Sequence, residues 1–98
     1  MNMQAMLKQA QKLQKDMLEE QNKINEKSFI GKSSIVTVTM KGTKELIDVK
    51  IDSDKIEMDD IELLQDMMVV AVNDAINQIN KETESKMGKF TNGMPGLF

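Results

Sequence analysis

The sequence predicts an α+β chain, a long helix followed by a β-hairpin and a second long helix, and three observations predict it. Apolar residues recur at heptad spacing from Met3 to Ile24. They then alternate at a period of two between residues 34 and 52. Finally, a capping signal at Asp59 and Glu62 opens a third stretch that is apolar nearly all round. At 98 residues, positions 1–98 form one domain by length. A lone domain of this size hides only about 60–65% of its unfolded surface, so a thin core and self-association are expected.

The first helix is expected from about residue 2 to residue 26. Met3, Ala10, Met17 and Ile24 occupy the a positions of four heptads, and Met6 and Leu13 occupy d positions, with Glu20 breaking the d series. Leu7 and Leu18 widen the apolar face beyond one seam, so the helix should touch a sheet or second helix as well as one partner.

The sheet is expected over about residues 27–52. In SIVTVTM, Val36, Val38 and Met40 face one way and Ile35, Thr37 and Thr39 the other. Lys41-Gly42-Thr43 makes the turn, and ELIDVKID alternates again, with Ile47, Val49 and Ile51 set against Asp48 and Lys50. Lys27 to Gly31 is a candidate short edge strand in front of this hairpin.

The second helix is expected from about residue 59 to residue 87. Asp59 is placed to cap the amide of Glu62 while Glu62 reaches back, and Met58 to staple against Leu63. Leu64, Met68, Val72, Ala75 and Ile79 line one side, yet Leu63, Met67, Val69 and Val70 cover most of the rest. A helix of that kind belongs between two layers. Gly88, Gly93, Pro95 and Gly96 mark an irregular tail over residues 88–98, in which Leu97 and Phe98 either fray or dock on a neighbour.

Composition excludes much chemistry. The chain has no His, Cys, Tyr or Arg, which removes the usual nucleophiles and bases, disulfides and thiolate metal sites, so no catalytic residue, cofactor or small-molecule substrate is expected. Asp52-Ser53-Asp54 opens like a calcium loop, but Glu57 stands where Gly is needed and Leu63 where a bidentate acid belongs, so no metal is assigned. The longest apolar run, Met67 to Val72, is far short of the ~20 residues of a membrane span, and the first residues lack the apolar core of a signal peptide. A cytoplasmic location is expected. The net charge of −3 is unevenly spread: residues 1–51 carry nine lysines against six acids, residues 52–80 one against eight, and residues 81–98 three against two.

Four stretches, MLKQAQKLQKDMLEEQ, VTVTMKGTKELIDVKID, LLQDMMVVAVNDAINQ and GMPGLF, resemble in that order the YbaB/EbfC family of bacterial nucleoid-associated proteins, over nearly the whole chain. The resemblance implies a three-stranded antiparallel sheet between the two helices and an intertwined, tweezer-like homodimer. It also implies a non-enzymatic, nucleoid-located protein that binds duplex DNA with little sequence preference and influences chromosome organisation and gene expression. The dimer interface would then include Met3, Met6, Ala10, Leu13 and Met17 of the first helix and Leu64, Met68 and Val72 of the second.

Sequence-independent duplex binding rests on cations set along phosphates. Lys8 and Lys15 fall at f and Lys12 at c, turned from the apolar seam, with Gln11 at b beside them. These four are the first candidate DNA contacts, although such a stripe also suits a plain solvated face. Lys81, Lys86 and Lys89 form the second candidate group, since the resemblance makes the helices the gripping arms. With every cation a lysine, no planar fork is available to read a guanine edge, so weak sequence discrimination is expected. The alternative reading is a dimeric protein–protein adaptor that contacts its partner through the acidic middle or the tail.

Overall fold

The computed structural model describes residues 2–52, 54 and 60–92. Its element order is α1 (Met3–Glu26), β1 (Ser28–Ser33), β2 (Val36–Lys41), β3 (Leu46–Ile51) and α2 (Ile61–Asn92). This is the expected α+β order of a long helix, a three-stranded antiparallel sheet and a second long helix. Helix α1 starts where Asn2, in extended conformation, accepts a 2.8 Å hydrogen bond from the Ala5 amide, satisfying one of the free donors of the first turn. It ends at Lys27, whose extended backbone turns the chain into β1.

The sheet order is β1-β2-β3, all antiparallel, with Phe29 opposite Met40 and Val38 opposite Val49. The edge strand expected over residues 27–31 is thus a full strand. A tight turn joins β1 to β2 with Ser34 at φ 51°. The register of β3 differs from the simple alternation. Thr39 faces Asp48 while Met40 faces Leu46, so Ile47 is bulged out and Leu46 takes the place opposite the buried Met40.

Helix α2 lies over β1 and β2 and then continues beyond the sheet to pack antiparallel on α1. Its contact with β1 is backbone to backbone. A Cβ at Gly31 would strike the Ala71 carbonyl oxygen and stand 2.8 Å from the Ala75 nitrogen, so three small residues set the helix directly on the strand. The core follows from this contact: Ile24, Phe29, Val36, Val38 and Met40 from α1 and the sheet meet Ala71, Ala75, Ile79, Met87 and Phe90 from α2.

Helix α2 ends later than its sequence signals suggest. The helix runs through Gly88 to Asn92, past the end expected near residue 87. A mid-helix glycine is unfavourable by only about 1 kcal/mol, and burial of Met87 and Phe90 on either side outweighs it. The capping pair's Asp59 and Met58, and the tail from residue 93 onward, lie outside the described residues.

The two free edges of the sheet are treated differently. On β1, the Lys32 amide donates to Asp74 Oδ2 at 3.0 Å and the Gln78 amide nitrogen donates to the Ile30 carbonyl oxygen at 2.7 Å, so α2 side chains cap the strand's outward groups. On β3, every residue is exposed.

Candidate nucleic-acid interface

The lysine stripe of α1 follows from helical geometry. Residues 8, 11, 12 and 15 stand at i, i+3, i+4 and i+7 on one face, and all four are exposed. From Lys8 to Lys15 the helix rises roughly 10 Å, about three base-pair steps of a duplex strand. Ahead of Leu13, Ala5 is the one residue from Asn2 onward that is even half-buried. The stripe therefore rides on a length of helix that stands largely clear of the protein body.

The structure divides the second group of candidates. Lys89 lies on the seam between the helices, 3.9 Å from Glu20 and with its ammonium 5.1 Å from the centroid of the Phe90 ring. Lys81 and Lys86 instead turn toward β1, where they line an open groove with Lys27 and Ser28. Lys27 gave no signal in the sequence because its ion-pair partner, Glu82, is 55 residues away. Its Nζ lies 2.8 Å from Glu82 Oε2 and 5.5 Å from the centroid of the Phe29 ring. The hydrogen bond from Lys27 lowers the pKa of Glu82 below the usual carboxylate range; burial opposes this, and the charges of Lys27 and Lys86 add to it.

The candidate interface residues also fall into two sets. Leu13 and Met17, and likewise Leu64, Met68 and Val72, are half-buried against the chain's own core. Met3, Met6 and Ala10 are exposed, Met3 at 86%. The apolar seam of α1 is thus continuous in sequence, but in this single chain only its second half is covered. Further apolar surface stands open on β3 and on the outer side of α2, at Val69 and Val70.

Among the described residues, no group of three His, Cys, Asp or Glu side chains is placed to hold a metal ion, and no helix is long and apolar enough to cross a membrane. Of the eight acids in residues 52–80, Glu57 and Asp59 lie outside the described residues; Asp52, Asp54, Asp60, Glu62 and Asp66 are exposed and Asp74 is half-buried.

The whole chain is similar to known proteins. The model of the YbaB/EbfC DNA-binding family matches residues 1–94. A protein named nucleoid-associated protein from Lactococcus lactis subsp. cremoris (strain MG1363) is 53% identical, over 97% of this chain and 98% of its own length. Another of that name from Enterococcus faecalis (strain ATCC 700802 / V583) is 47% identical, over 98% of this chain and 94% of its own. The crystal structure of an uncharacterized protein from Helicobacter pylori superposes with a TM-score of 0.77 at 21% identity, covering 92% of this chain and 97% of that one, and so shares the fold.

Proposed function

The chain belongs to the YbaB/EbfC DNA-binding family, and from that premise we propose that it is a nucleoid-located, homodimeric protein that binds duplex DNA with little sequence preference and thereby influences chromosome organisation and gene expression. The observation that carries this reading is the exposed stripe of Lys8, Gln11, Lys12 and Lys15 on the projecting half of α1. Ammonium groups so placed neutralise successive phosphates without reading bases. Lysine makes a point contact where arginine would fork onto a guanine, so discrimination between sequences is small.

Dimerisation is supported by apolar surface that a lone chain leaves wet. Leu46, Val49 and Ile51 lie opposite Met40, Val38 and Val36, on the core-facing side of the sheet, yet α2 rests over β1 and β2 and all three remain exposed. Val69 is 58% exposed and Val70 54%. With β1 capped by Asp74 and Gln78, the β3 side of the sheet is the one left for a second copy. A pair of chains would present two lysine-bearing arms to one duplex.

The test is fluorescence anisotropy on unrelated labelled duplexes across a salt series. Binding that weakens steeply with salt and differs little between sequences is expected. Changing Lys8, Lys12 and Lys15 together to Gln should flatten the log–log salt slope by up to about 0.9 for each lysine that meets a phosphate. Absence of binding even at low salt removes the proposal.

A further inference from the structure

Glu82 stands where cations converge. Lys27, Lys81 and Lys86 line the open groove of about 680 Å³ between β1 and α2, with Ser28 and Ser85 also in its lining. Three ammonium groups and two hydroxyl donors around one groove make an anion-binding surface. Glu82 Oε2 lies 2.8 Å from Lys27 Nζ, and Lys86 acts on the same carboxylate from the next turn of α2. The carboxylate thus holds a position in which a phosphate oxygen would meet the same donors.

We propose that this groove is a seat for a DNA backbone phosphate and that Glu82 is its intramolecular occupant, which must swing aside before the phosphate is bound and so holds the affinity down. The proposal rests on the DNA-binding reading above but concerns different residues from the α1 stripe. The geometry suits a displaceable stand-in. The Lys27 and Glu82 side chains are 53% and 23% exposed, and an ion pair in contact with solvent contributes little to stability, so opening it is easy. Release of Lys27 from Glu82 would add one cation to the phosphate contacts of each protomer. The junction of α1 with β1 supplies Lys27 and Ser28 and α2 supplies Lys81, Ser85 and Lys86, so the seat depends on the α2–β1 packing fixed by Gly31.

The test compares wild type with Glu82→Gln, Glu84→Gln, Lys86→Gln and the double variant Lys27→Gln/Glu82→Gln, using a fluorescein-labelled mixed-sequence duplex between about 50 and 200 mM potassium chloride. Glu84 is exposed two residues along α2, about 200° around the helix, so its variant makes the same change in net charge at a different place on the helix surface. Expected results are about three- to ten-fold tighter binding by Glu82→Gln, with a salt slope steeper by about 0.9 per protomer, and less than a twofold change for Glu84→Gln. Lys86→Gln should weaken binding about three-fold or more, and the double variant should return close to wild type. Equal gains in Glu82→Gln and Glu84→Gln would reduce the effect to net charge and overturn the seat. Unchanged binding in Glu82→Gln and Lys86→Gln, while the α1 stripe variant loses affinity, would also overturn it and leave the DNA-binding reading standing. If neither wild type nor Glu82→Gln binds at low salt, that reading and the seat fail together. Retained far-UV circular dichroism in each variant shows that the fold is intact.

Discussion

A single methyl group at residue 31 decides whether α2 rests on the sheet. Because the added Cβ would meet backbone atoms of Ala71 and Ala75 rather than a movable side chain, neither element yields locally. Gly31→Ala should lower stability by roughly 3 kcal/mol, read as a drop in the urea midpoint. Acid weakens the contact between Lys27 and Glu82. Glu82 titrates below the usual carboxylate range in the folded chain, so its stabilising contribution is present above the unfolded pKa and is lost as pH falls through the folded one. The stability difference between wild type and Glu82→Gln should therefore be level near neutrality and shrink on acidification below the usual carboxylate range. Equal acid dependence in the two proteins would contradict the ion pair's role.

Among the elements, α2 shows how tertiary contacts extend a helix beyond its local signals. Gly88 reads as a stop in the sequence, yet the helix passes through it because Met87 and Phe90 are anchored in the core. The site is open, with no atom within 4 Å of an added Cβ. Gly88→Ala should raise stability by about 0.5–1 kcal/mol, through the lower entropy of the unfolded chain and better helix propensity, measured by thermal unfolding. Phe90→Ala acts in the opposite sense: loss of a buried core ring near Leu13 should destabilise by roughly 3–4 kcal/mol and free the end of α2 from α1. Faster amide exchange over residues 84–92 in that variant would report the detachment.

The whole molecule is long and thin. Its extents are 70 × 21 × 13 Å and its radius of gyration is 19.4 Å, against about 13 Å for a compact domain of this length. So extended a shape leaves apolar side chains of α1, the sheet and α2 in water, which a second copy would cover. Folding and association should then be linked: thermal stability should rise with protein concentration, and sedimentation should give twice the chain mass. Val49→Asp or Val70→Asp should shift the protein toward monomer, and a mass independent of both changes would rule out these surfaces as the interface.

By itself the sequence determined the order of helix, hairpin and helix, because heptad and alternating patterns are local and repeat over many residues. It also determined the lysine stripe of α1, since residues 8, 11, 12 and 15 share a face in any helix. Tertiary structure alone decided which half of the methionine seam is covered. Leu13 and Met17 pack against the core, whereas Met3, Met6 and Ala10 stand in solvent, a distinction that depends on where α2 lies in space. It also decided the β3 bulge at Ile47, the passage of α2 through Gly88 and the meeting of Lys27 with Glu82. Each depends on surroundings that a window of neighbouring residues does not contain: packing sets the bulge and the helix end, and a 55-residue separation hides the ion pair.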